Sequence, residues 1–516
     1  MKRTTLIIPI LGLLVIAGCM DNFLDHTPPV QRTQDNFFQS QADAEQALFA
    51  IYEILTFHHG RQNAGFHPID LMSNVLSDDA YGGGSGPGDQ PEILEFNAHN
   101  ISVTNGKVLG LWSDRYTGIY RANLLLENID GVLFENEQDR AIIAAEARFL
   151  RVIFYFELVR LFGNIPFFER PLVAEDIRVP QNDPGEVYEF LVTELLDIIP
   201  DLRDVIPGAQ VGRASSWAAK SLLGRIYLYH RDYAQPVLGA GPLPVSESVV
   251  LGHLEDVINN SPHRLLDDFS ALWGVAGNNN AEAIFSVQHI ETAFGDWGFL
   301  NGSIGNWSST MSGMRGVGFH PQYASGWSFQ PVTPDLVAAF DRDNDSRYFY
   351  SILDPSPDAE NVRHRPNEMY QWQGFAFKKF YPRFPDNPSV NQPFNWPYNR
   401  PVIRFADVLL MAAELGSPNA QDYFDQVRMR AYGDNFVQVP VNRDNIMEER
   451  RREFAGEGKR YWDLLRMGLD TAAQKINAQA IQDININFRT DRLGLLPIPQ
   501  SEINLSDRTL VQNPNY

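Results

Sequence analysis

"AEARFLRVIFYFELVRLFGNIPFF", residues 145–168, is the stretch on which the fold turns. Leu150, Phe154, Leu158 and Leu161 recur at three- and four-residue steps, which stacks them on one face of an α-helix. Gly163, with Pro166 just beyond it, stops that helix. Glu157 and Arg160 interrupt the apolar run, so the helix suits a protein core and not a bilayer, which asks for ~20 apolar residues in succession.

Similar stretches lie on both sides of it. Residues 41–56, "QADAEQALFAIYEILT", carry Ala44, Leu48, Ile51 and Leu55 at helical spacing behind Ser40 and Asp43, a capping-box-like start. Residues 184–202 and 215–230 follow, the second with Ala218, Ala219 and Gly224, small enough for neighbouring helices to approach closely. Residues 402–414 and 445–468 repeat the habit late in the chain. Paired helices, short turns and alanine-rich faces predict a mainly α fold of stacked helical hairpins of the tetratricopeptide kind, although no strict repeat signature recurs.

The stretch between 270 and 400 differs. Six of the nine tryptophans (Trp273, Trp297, Trp307, Trp327, Trp372, Trp396) fall there, with eight glycines between 295 and 326, a composition that resists helix yet is too aromatic for disorder. A second glycine-rich loop, "SDDAYGGGSGPGDQPE", occupies 77–92. It is no phosphate loop: no Lys-Ser/Thr follows the glycines, and Asp89 would repel phosphate.

At the N-terminus, Lys2 and Arg3 precede an apolar run over 6–16, the layout of a secretory signal. Ile16, Ala17, Gly18 and Cys19 resemble the bacterial lipobox, so Cys19, the only cysteine in 516 residues, is expected to carry the acyl chains that tether the mature protein. The body after it can have no disulfide, thiolate nucleophile or thiolate metal site. With 64 acidic against 42 basic residues the chain is strongly acidic, which argues against nucleic acid and against adsorption to an anionic membrane face.

These segments together resemble the SusD/RagB family of outer-membrane nutrient-binding lipoproteins. The likeness runs in order through 19–29, 145–168, 212–229, 281–288 ("AEAIFSVQ"), 402–414, 446–468 and the closing "LLPIPQSEINLSDRTLVQNPNY". It implies a right-handed superhelix of tetratricopeptide-like helix pairs with a loop-rich, ligand-binding insertion. The expected divisions are a signal peptide (1–18), an N-terminal helical part (19–235), a variable aromatic region (236–400) and a C-terminal helical part (401–516), the last three in one compact unit. It also implies a non-enzymatic receptor facing the cell exterior, partnered by a SusC-type TonB-dependent transporter and binding oligosaccharide or polysaccharide without cofactor or metal. Sugar rings pack a C–H face on aromatic rings and need paired polar groups around their hydroxyls. The candidate platform is therefore Trp297, Trp307 and Trp327, with Asp79 and Tyr81 from the other glycine-rich loop as rim. A peptide-binding receptor of the RagB kind, a surface glycosidase using two carboxylates and a protein-binding helical adaptor are the alternatives.

Three further motifs have plainer readings. "EERRREFAGEGKR" at 448–460 reads as ion pairs along a helix, with Glu448, Glu449, Glu453 and Glu457 around Arg450–Arg452. His58, His59 and His67 have no metal-site spacing. "DRDNDSR" at 341–347 lacks the glycine and glutamate of a calcium loop, leaving Asp341 and Arg347 to hold a turn.

Overall fold

The computed structural model describes residues 37–56, 69–291, 305–318, 320–389, 393–481 and 483–516. Cys19, Trp297 and the histidines at 58, 59 and 67 lie outside these.

The N-terminal part is a succession of helices: α1 (Gln41–Tyr52), α2 (Ile69–Val75), α3 (Pro91–Ala98), α4 (Gly106–Asn128), α5 (Glu137–Phe162), α6 (Pro184–Ile198), α7 (Ser216–Tyr229) and α8 (Glu247–Asn260). From α4 to α8 each helix packs on the next, and α8 packs in turn on α9 (Phe405–Glu414), which pairs with α10 (Ala420–Tyr432). That is the tetratricopeptide-like superhelix. The expected capping box at Ser40 is present, and Asn105, Asn136, Ser215 and Ser246 receive backbone N–H groups at the starts of α4, α5, α7 and α8.

Residues 145–162 do form the end of α5, and Leu150, Phe154, Leu158 and Leu161 are buried as expected. So are Phe149, Val152, Tyr155 and Val159 on the other faces, because α4 covers one side and α6 the other. Arg151, buried with them, donates to Asn123 Oδ1 (2.7 Å) and pairs with Glu194 of α6. Gly224 performs the close approach read from the sequence: a Cβ there would stand 2.7 Å from the Leu254 side chain of α8.

The superhelix thus continues past 235 through α8, and the loop-rich part expected from 236 begins only after Asn260. It is an insertion closed by one antiparallel ladder, β1 (Ala283–Val287) against β2 (Arg400–Arg404), with Val287 opposite Arg400. Within it short helices (Trp307–Ser312, Pro334–Ala338 and Arg347–Ser351) and one further strand pair (Ile352–Leu353 against Ala376–Phe377) are joined by loops around small apolar clusters, one built on Met314, Tyr323, Leu353, Met369 and Tyr381. The chain then runs from β2 straight into α9, and after α10 through α11 (Arg443–Glu453), α12 (Arg460–Arg466) and α13 (Leu469–Asn477). Among the described residues no helix is long and apolar enough to cross a membrane.

Candidate functional site

The site is built from the charged motif of α11 upward. Only Arg452 and Glu449 pair within the helix, at 2.9 Å; the other charges reach distant parts of the chain, which corrects the expectation of pairing along one helix. Arg450 holds Asp407 of α9 (2.6 Å) and Asp463 of α12 (2.9 Å). Glu453 accepts from Arg404 (2.9 Å), Arg430 (2.6 Å) and Arg347 (3.1 Å), all without solvent exposure to speak of. Arg347 is therefore an interior tie between insertion and scaffold, whereas Asp341 holds its turn by accepting the N–H groups of Asp343 and Asn344.

This network also captures the glycine-rich loop at 77–92. Arg460 grips both oxygens of Asp78 (2.7 and 2.8 Å) and Arg451 donates to Asp79 Oδ1 (2.9 Å). Burial pushes the Asp78 carboxyl up, but Arg460 and Arg451 outweigh it and hold it at about 2. Burial dominates at Asp79 and pushes its carboxyl up to about 6 against the pull of Arg451. Asp79 and Tyr81 are 1% and 2% exposed, so neither is the rim that the sequence reading assigned: the one is consumed by an interior ion pair and the other is packed beneath the loop.

Beyond them the loop zips onto residues 328–331, at the end of the glycine-rich stretch that closes with Gly326. Tyr81 N–H donates to Pro331 O and Gly84 N–H to Ser328 O, each at 2.9 Å, and Ser328 Oγ returns a bond to Gly84 O (3.0 Å). Gly83 is required here: its φ is +75°, and a Cβ would stand 2.3 Å from Ser328 O. A third segment joins when Tyr370 N–H donates to Gly84 O (2.8 Å) and Gln371 bonds both Gly83 N–H and Asn97 (2.8 Å each). The two glycine-rich regions do come together, as the family resemblance implies.

The tryptophans divide. Trp307 has no exposed surface; it packs on Phe394 (ring centroids 4.0 Å) and Trp327 (6.3 Å), anchoring its own loop, so it offers no platform. Trp327 is half-buried. Around the seam the structure adds groups that the sequence reading left out: the half-buried rings of Tyr370 and Trp372, the ion pair Arg315–Asp89 (2.6 Å), and exposed Ser85 and Gln373. A signal for them existed in "YQWQG" at 370–374, two aromatics alternating with amides before a glycine. No group of three or more metal-ligating side chains occurs among the described residues.

Known proteins share this architecture. Residues 281–516 match the profile described as "SusD family", and residues 22–228 the one described as "Starch-binding associating with outer membrane". A solved laminarin binding SusD-like protein is 31% identical, with a TM-score of 0.80 over 93% of this chain and 100% of that one. Surface glycan-binding protein A from Bacteroides thetaiotaomicron, in complex with laminarihexaose, is 26% identical with a TM-score of 0.81 over the same shares. A SusD-like protein of Formosa agariphila is 28% identical over 98% of this chain and 97% of its own length. With its paired helices, its ladder-closed insertion and its matched halves, the chain belongs to the SusD family.

Proposed function

We propose that this protein is a non-catalytic receptor that captures glycan on the face around the glycine seam and passes it to a TonB-dependent transporter of the SusC type. The observation that carries the reading is strain. Gln90 (φ +55°), Ser328 (+57°), Gln330 (+48°) and Gln371 (+57°), none of them glycine, all take left-handed backbone in this one place. Such positions cost ~1–3 kcal/mol each and persist where the surroundings over-determine them, which is common at ligand-binding sites. Here side-chain bonds hold them, Asn74 to Gln330 (2.8 Å) and Lys107 to Gln90 (2.7 Å) among them. A surface fixed in advance spares the ordering cost of binding, which matters for weak ligands such as sugars.

On that face Trp372, Tyr370 and Trp327 supply ring area, and Arg315, Asp89, Ser85 and Gln373 supply donors and acceptors. Trp297, outside the described residues, is a further candidate ring by residue type alone. Relatives named for binding laminarin and laminarihexaose make those the first ligands to try. Acylation at Cys19 would hold the receptor at the outer membrane facing outward, where even millimolar affinity, about -4 kcal/mol, suffices beside a transporter because tethering raises effective concentration.

Titration calorimetry with laminarihexaose, and gel retardation in laminarin, test the face. Trp372→Ala and Trp327→Ala should each weaken binding about tenfold, or ~1.4 kcal/mol, with no new reducing ends released by any variant. Undiminished retention in both variants rejects this face; retention of peptides in place of any glycan rejects the ligand class.

A further inference from the structure

A half-enclosed cavity of about 80 Å³ lies among α5, α7, α9 and α12. Its wall is unusually rich in charge, and the pairs can be followed one by one. Asp70 is held by Arg400 (2.8 Å), Glu157 by Arg115 (2.8 Å) and Glu457 by Arg404 and Lys379 (2.8 Å each). Asp463 serves Arg450 (2.9 Å) and Arg466 (3.3 Å), and Arg225 pairs with Asp407. Every carboxylate on the wall is engaged.

Two cations on the same wall are not. The Arg160 guanidinium stacks between Phe156 (4.3 Å to the ring centre) and Trp462 (4.2 Å), and its buried Nε has no hydrogen-bond partner among the described residues. Lys459 Nζ donates to the Val402 carbonyl (3.0 Å) and to no carboxylate. Rings and a carbonyl satisfy shape and one donor, but they carry no full negative charge, and unpaired cations away from bulk water are costly. The space is several times what one water needs, and the donors around it, a planar guanidinium and an ammonium, are those that recognise anions.

We propose that this cavity binds a small anion, of halide or carboxylate size, as the counter-ion of Arg160 and Lys459. Bound there it ties the end of α5 to the start of α12. Consistent with a missing negative charge, burial and the neighbouring Arg225 hold the Lys459 ammonium down at about 7, despite the pull of Asp407, Glu457 and Asp70.

The test uses the full mature chain. Crystals soaked in sodium bromide should show an anomalous peak beside Arg160 and Lys459. The melting temperature should rise with the logarithm of bromide or formate concentration relative to equal ionic strength of sodium gluconate, an anion too large to enter. Arg160→Met and Lys459→Met should each abolish that difference; Lys459→Met, the milder change, keeps the test open should Arg160→Met fail to fold. A cavity without an anomalous peak, or an anion effect that persists in Lys459→Met, overturns the proposal.

Discussion

Glu453 sits without solvent exposure among the guanidiniums of Arg404, Arg430 and Arg347. Burial alone would push its carboxyl up; the arginines outweigh burial and hold it well below the usual range. Glu453→Gln leaves those cations uncompensated and should cost about 3–5 kcal/mol in urea unfolding. The same balance sets the acid response. Glu449, pushed up by burial but held at about 2 by Arg347, Arg452 and Arg428, has a folded value below its unfolded one of ~4.3, so its contribution is full above that value and is lost as pH falls toward 2. His99, lowered to about 4 by burial, stays neutral in the fold while the unfolded chain takes up a proton below ~6.5. Asp79, whose folded value of about 6 lies above its unfolded one of ~3.9, takes up its proton in the fold first and offsets His99 between about pH 6 and 4. Scanning calorimetry should therefore show the melting temperature falling most steeply below about pH 4. At Trp307, buried against Phe394, truncation to Ala should cost about 3–5 kcal/mol and be read as lost stability, not as a lost sugar contact.

At the level of elements, helices and seam answer to different rules. α4 and α5 need little beyond apolar spacing and their asparagine caps. The seam depends on single positions: at Gly83 a methyl group meets Ser328 O at 2.3 Å, and L-residues rarely adopt its φ of +75°. Gly83→Ala should leave the far-ultraviolet dichroism of the helices unchanged while weakening laminarihexaose binding by at least about tenfold, since a separation of loops 77–92 and 326–332 disturbs the proposed face without touching the superhelix. Equal loss of helical signal and binding would show the seam to be part of the scaffold.

As a whole molecule, the insertion shares core residues and charges with the superhelix. Trp307, Met311, Phe329 and Phe394 belong to the same apolar core as α4 to α9, and Arg347 carries the insertion's charge into α11. The shared core residues and the shared ion network predict one cooperative transition: the calorimetric and van't Hoff enthalpies of the mature chain should agree. Two resolved transitions, with the first tracked by the tryptophan fluorescence of the insertion, would contradict this.

The helices at 41–52, 145–162, 184–198, 216–229 and 405–414, the close approach at Gly224 and the meeting of two glycine-rich regions were legible in the chain alone, because spacing, caps and small residues act over a few positions and ordered blocks carry the family pattern; α4, α8 and α10 were not read from it. The roles of Asp79, Tyr81 and Trp307 were not. Whether a carboxylate faces water or Arg451, 372 residues away, is settled by what the packed helices bring beside it. The same holds for Trp307, whose ring has the chemistry of a sugar platform and the surroundings of a core anchor. Residue type fixes what a side chain can do, while burial and partners, which only long-range packing assigns, fix which of those things it does.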